Sequence, residues 1–150
     1  MEKQLTCQVN ANWESGRRGF VTTPGTEQGI HFSSPPEFKG DPGFWTPEDL
    51  LLGAVASCFV VTFYALAERA RLEFGTLALS AEGTLSTFEG RLSFQQIVLR
   101  PTVTILRNED RERAYGLLEK TERGCLIART LNCRVWMEPS VQTAEKVLVR

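Results

Sequence analysis

From Leu50 to Ala67 the chain carries no charged side chain, and apolar residues occupy every side of the helical wheel. Such a run predicts a helix that is buried all round. Its start is well marked. Thr46 suits the N-cap, Pro47 the first helical position, and Glu48 and Asp49 face the positive end of the dipole. The helix is predicted to reach about Arg71. Elsewhere the period is two. Gln4 to Val9 alternates polar and apolar, so residues 4–10 and about 19–33 read as short strands, punctuated by Gly16, Gly19, Pro24, Gly25 and Gly29. Residues 33–45, SSPPEFKGDPGFW, hold three prolines and two glycines and predict an irregular loop ending in aromatic residues.

After the long helix, Leu77, Leu79, Ala81, Gly83 and Leu85 alternate, and Ile97, Leu99, Val103 and Ile105 do the same on a return strand. This predicts a hairpin of residues 76–88 and 91–107 turning at Glu89 and Gly90. Pro101 implies an edge or a bulge there. Glu109 to Arg123 is amphipathic about Ala114, Leu117 and Leu118, with Gly124 as its C′ residue. Cys125 to Leu131 predicts a second short helix, and Cys133 to Pro139 a returning strand. The predicted order is βββ-α-ββ-α-α-β, an α+β fold.

The uncharged run reaches the lower length limit for a membrane span. Against a span stand its small residues (Gly53, Ala54, Ala56, Ser57, Ala65, Ala67) and the lack of a basic flank at its start. The helix is too long and apolar to be covered by one small sheet. Its small residues would let a second helix approach closely, so a homodimer with two such helices packed together is expected. The 150 residues suit a single domain, 1–150. Seventeen basic and eighteen acidic residues leave a net charge of -1, which gives no electrostatic footprint for nucleic acid or a membrane surface. The first residues lack the apolar core of a signal peptide, so a cytoplasmic location is expected.

That location changes how Cys7, Cys58, Cys125 and Cys133 are read. They form no C-x-x-C pair, and His31 is the only histidine, so no zinc site is expected. Static disulfides are rare in a reducing compartment. Buried thiol or redox thiol remains. Cys7 and Cys133 fall in predicted strands and read as core thiols; His31 reads as structural or exposed. An apolar helix would raise the pKa of Cys58, so a reactive thiolate there requires a nearby cation. Arg17 and Arg18, in the loop SGRRG, are the candidates. Glu48 precedes Cys58 by ten residues, about 15 Å of helical rise and too far for contact. If two such helices pair antiparallel in a dimer, Glu48 of one chain could approach Cys58 of the other and orient an arginine by a bidentate pair. Cys125 begins a helix, where free N–H groups favour a thiolate, and is placed to attack a sulfenic acid on Cys58. Phe44 and Trp45 either line an apolar pocket for a bulky substrate or anchor the loop.

The stretch TPEDLLLGAVASCF, residues 46–59, resembles the peroxidatic-cysteine helix of the OsmC/Ohr family of hydroperoxide reductases. The F-x-G element at Phe38 to Gly40, the following hairpin, and G-C-x-[IV]-[AS]-x-x-L at residues 124–131 resemble that family in the same order. The resemblance implies antiparallel sheets wrapped around central helices in an intertwined dimer. It further implies reduction of organic hydroperoxides with a dithiol reductant and no metal or organic cofactor. Cys58 would be peroxidatic, Cys125 resolving, Glu48 the acid, and Arg18 the arginine, with Arg17 second. The chain departs from the family's pattern at Leu126, where many members have proline, and at Glu37, where some carry arginine. Two other readings accompany this one: a non-catalytic small-ligand-binding or stress-response protein on the same fold, and a thiol redox sensor.

Overall fold

The computed structural model describes residues 2–145. Its elements run βββ-α-ββ-α-α-ββ, an α+β arrangement. The chain divides into two compact units, Met1–Leu51 and Leu52–Arg150.

The first unit is built on an antiparallel sheet of β1 (Asn10–Ser15), β2 (Arg18–Thr22) and β3 (Ile30–Ser33), in that order. Gly19 on β2 allows a close approach, since a Cβ there would lie 2.5 Å from both the Asn12 carbonyl oxygen and the Phe32 ring. Residues 4–9 differ from expectation: they are exposed and irregular, and the first strand begins only at Asn10. Their alternation has no packed surface to face, so it does not make a strand. Cys7 is therefore an exposed thiol rather than a core one. The Pro- and Gly-rich loop is irregular apart from one 3₁₀ turn, Pro36–Phe38. It folds back tightly at Gly40, where a Cβ would fall 1.6 Å from the Ser34 carbonyl oxygen.

The long helix, α1, spans Pro47–Arg69. Its start is a capping box: the Asp49 N–H donates to Thr46 Oγ1 at 3.1 Å, and the Thr46 N–H donates to Asp49 Oδ2 at 3.0 Å. Thr46→Ala removes half of this reciprocal pair. We expect a loss of about 1 kcal/mol, read as a lower urea midpoint with unchanged slope.

In the second unit α1 turns Val55, Phe59, Phe63 and Ala67 inward, one residue per turn. They join a core with Ile97, Leu99, Val103, Ile105, Ala114 and Leu118. Phe63 meets Phe74 edge to face at 5.3 Å. The hairpin is β4 (Phe74–Phe88) and β5 (Arg91–Ile105). Its turn residues Glu89 and Gly90 both have positive φ, 50° and 76°, as a type I′ turn requires.

Two short strands, β6 (Arg134–Met137) and β7 (Ser140–Thr143), pair with β5 in parallel, so this sheet is mixed rather than antiparallel. They also make β5 central, although Pro101 pointed to an edge or a bulge. The Leu99 carbonyl accepts from the Glu138 N–H at 2.8 Å, so alternation turns the missing N–H of Pro101 toward the same side. There it meets the break between β6 and β7, where a ladder bond is not needed. The amphipathic helix α2 is Arg111–Gly124, and α3 is Leu126–Thr130. Gly124 closes α2 from inside the helix. The residue after it, Cys125, is extended (φ -66°, ψ 109°) instead of left-handed, so Gly124 is not a C′ residue.

Candidate active site

Cys58 lies on α1 one residue before the buried Phe59, and is half-buried beside the core. Cys125 is the single extended residue joining α2 to α3, and is fully buried. The fold brings the two together: each thiol is among the groups that shift the ionisation of the other, and both are free. The Cys58 sulfur meets Thr62 Oγ1 at 3.9 Å, and the backbone N–H groups of Ile127 and Leu126, at the start of α3, favour its thiolate. The Cys125 thiol donates to the Val55 carbonyl at 3.9 Å, one turn before Cys58 on α1.

These surroundings move the two thiols in opposite directions. Burial is the largest single influence on Cys58 and pushes it up, but the hydrogen bonds from Ile127, Cys125, Thr62 and Leu126 together outweigh it, leaving Cys58 below the ordinary thiol value. Cys125 is raised, first by burial and then by the neighbouring Cys58; the N–H groups of Ala128 and Ile127 only partly offset this. The expected cation is thus not what lowers Cys58. The N–H groups at the start of α3 favour a thiolate on both sulfurs, but on Cys125 burial outweighs them. Thr62 and Ile127 were not singled out from the sequence, and Leu126 only as a departure from the family's pattern, because a threonine inside an apolar run and two apolar residues after Cys125 look like packing. Of the two thiols Cys58 is the one lowered toward ionisation, and the Cys125 proton is directed to the Val55 carbonyl.

The charged candidates belong to the first unit. Arg18 opens β2, where its Nε lies 3.3 Å from Asp41 Oδ2 and its Nη2 donates to Ser15 Oγ at 3.0 Å. Its guanidinium stands 5.6 Å from the centre of the Phe44 ring. Arg17 Nη1 donates to the Lys39 carbonyl at 3.5 Å. Glu48, expected to orient the arginine, forms no ion pair among the described residues; Asp41 holds Arg18 instead. Yet Glu48 Oε2 is buried with no hydrogen-bond partner among the described residues. Trp45 is half exposed, with its carbonyl accepting from the Ser33 N–H at 2.9 Å. Cys133 packs against the core as expected, and His31 is exposed beside Glu14, 3.4 Å away.

Residues 40–140 match the model of the OsmC-like protein family. The chain is 30% identical over 139 residues to YmaD of Bacillus subtilis (strain 168), itself uncharacterized, spanning 89% of this chain and 93% of that protein. Among solved structures it is similar to an OsmC-like protein of unknown function from Vibrio cholerae O1 biovar eltor, with a TM-score of 0.82, 19% identity, and coverage of 91% of this chain and 99% of the other. It is also similar to an organic hydroperoxide resistance protein OsmC from Legionella pneumophila, with a TM-score of 0.73, 22% identity, and coverage of 94% and 99%. These two likenesses establish the fold.

Proposed function

Because this chain belongs to the OsmC-like protein family, we propose that it is a thiol peroxidase that reduces organic hydroperoxides to alcohols, with Cys58 peroxidatic and Cys125 resolving. The observation that carries this reading is the neighbouring pair of free thiols that act on each other's ionisation, one lowered and half-buried, the other raised and fully buried. The Cys58 thiolate attacks the distal peroxide oxygen. The O–O bond breaks, the alkoxide takes a proton and leaves as alcohol, and Cys58 becomes a sulfenic acid, oxidised by two electrons. The Cys125 sulfur then attacks the Cys58 sulfur, and its proton leaves with the hydroxyl as water. A dithiol reduces the resulting disulfide by exchange and is itself oxidised. Sulfur carries both electrons, so the scheme uses no metal or organic cofactor.

Arg18, with Arg17 as the second candidate, would supply a guanidinium to the thiolate and to the peroxide oxygen. Its Asp41 pair is largely exposed and therefore weak. In the active state Arg18 would exchange Asp41 for Glu48, whose partnerless oxygen is an acceptor in waiting. Phe44 and Trp45 would take the alkyl group of the substrate. The working unit of this proposal is a homodimer in the cytoplasm. Val61 and Tyr64 on α1 are 64% and 57% exposed, and Leu85, Phe88 and Leu92 leave the end of the hairpin apolar; a second copy would cover such surfaces.

Single-turnover oxidation tests the reading. The reduced protein is mixed separately with an organic hydroperoxide and with hydrogen peroxide, free thiols are counted, and the disulfide is mapped by mass spectrometry. We expect fast, selective oxidation by the organic peroxide and a Cys58–Cys125 bridge. Slow, unselective oxidation, or a bridge to Cys7 or Cys133, would sink the peroxidase and favour a ligand-binding protein.

A further inference from the structure

We propose that Thr62 is a positioning residue for the Cys58 thiolate: its hydroxyl donates to the sulfur and holds it facing α3. This rests on the peroxidatic role given to Cys58 above and adds a residue to it. Thr62 follows Cys58 by four residues on α1, so the two side chains occupy one face of the helix in successive turns. Both are half-buried.

A helical threonine ordinarily turns its hydroxyl back to the carbonyl four residues earlier. Two others in this chain do so, Thr121 to the Leu117 carbonyl at 2.7 Å and Thr130 to the Leu126 carbonyl at 3.0 Å. Thr62 does not: its one side-chain hydrogen bond among the described residues is to Cys58 Sγ, at 3.9 Å. Packing supplies a reason. The Thr62 methyl faces Gly124, where an added Cβ would stand 3.9 Å from it. With the methyl seated against the end of α2, the hydroxyl is left toward the sulfur. Gly124 also immediately precedes Cys125, so Thr62 touches both sides of the dithiol.

Among the described residues the Thr62 hydroxyl makes the side-chain hydrogen bond to Cys58, while the Cys125 proton is directed to the Val55 carbonyl. The Thr62 contribution survives when Cys125 is replaced. A hydroxyl-to-thiolate bond is charge-assisted and strengthens as the thiol ionises.

The test compares Thr62→Val, which keeps the branched shape, with Thr62→Ser, which keeps the hydroxyl. Alkylation of Cys58 by iodoacetamide is followed residue by residue in mass spectra across pH. In Thr62→Val the midpoint moves up, and the rate near neutral pH falls roughly tenfold. In Thr62→Ser the profile stays close to that of the unsubstituted chain. An unchanged profile in Thr62→Val, or an equal fall in Thr62→Ser, overturns the inference. Alkylation needs no peroxide turnover, so failure of the peroxidase reading shows separately, as absent peroxide consumption by a chain whose Cys58 still depends on Thr62.

Discussion

Cys58→Ser is expected to abolish the consumption of organic hydroperoxide, whereas Cys125→Ser is expected to complete the first oxidation and stall there. The two effects should differ because the proposed reaction gives the two sulfurs different tasks. A serine hydroxyl ionises far above neutral pH and cannot be oxidised to the sulfenic level, so Cys58→Ser removes the one thiol lowered toward ionisation among the described residues. We expect the rate to fall to that of the uncatalysed mixture. Cys125→Ser keeps the N–H groups of Ile127 and Leu126 on the Cys58 sulfur, together with a hydroxyl where the Cys125 thiol stood. Its first oxidation should stay within about tenfold of the starting rate, since one donor has been exchanged for another.

What Cys125→Ser loses is the internal nucleophile that removes the sulfenic acid. That species should accumulate at Cys58 and be trapped there by dimedone, a mass adduct absent from the unsubstituted chain after one turnover. Cys7→Ser and Cys133→Ser should leave turnover unchanged. Cys7 is exposed in an irregular segment, and Cys133 packs against the core outside the contacts made by the pair. If Cys125→Ser turns over as before with a dithiol and no sulfenic acid is trapped, Cys125 is not the resolving residue.

The difference between these residues was partly legible in the sequence. Thr46, Pro47 and the acids after them mark the start of α1, and the capping box sits where those residues predicted it. The hairpin was equally readable, because alternation over long strands admits one register when one face is buried. Residues 4–9 mislead for the converse reason: alternation is a strand signal only where a surface waits to cover the apolar side. β7 escaped notice because Ser140 to Thr143 is too short to show a period, and it pairs only because β5 extends past the end of β6. At the site, the motifs around Cys58 and Cys125 pointed to the pair, while the cause of the Cys58 shift was not visible. A sequence displays cations as letters. It does not display which N–H groups a bend will bring to a sulfur, so Ile127 and Thr62 went unremarked beside Arg17 and Arg18.

Phe59→Ala should be the most damaging single truncation beside the site, costing about 3–5 kcal/mol. Phe59 is 0% exposed and follows Cys58 directly, so the helix that presents the sulfur on one side is anchored by this ring on the other. Truncation leaves a ring-sized void among Val55, Phe63 and the β5 side chains of the same core cluster. Close-packed interiors relax only partly into such voids. Phe59→Leu keeps much of the volume and should cost well under half as much. Urea unfolding at one fixed protein concentration reads both values, the fixed concentration being needed if subunit association contributes to stability. The same variants separate packing from chemistry. Phe59→Leu should retain the Cys58 alkylation profile, because the donors to the sulfur come from Thr62, Cys125 and α3 and not from the ring. Near-equal stability of Phe59→Ala and the unsubstituted chain would mean that α1 is not held by this face, and the account of how Cys58 is brought to Cys125 would have to be abandoned.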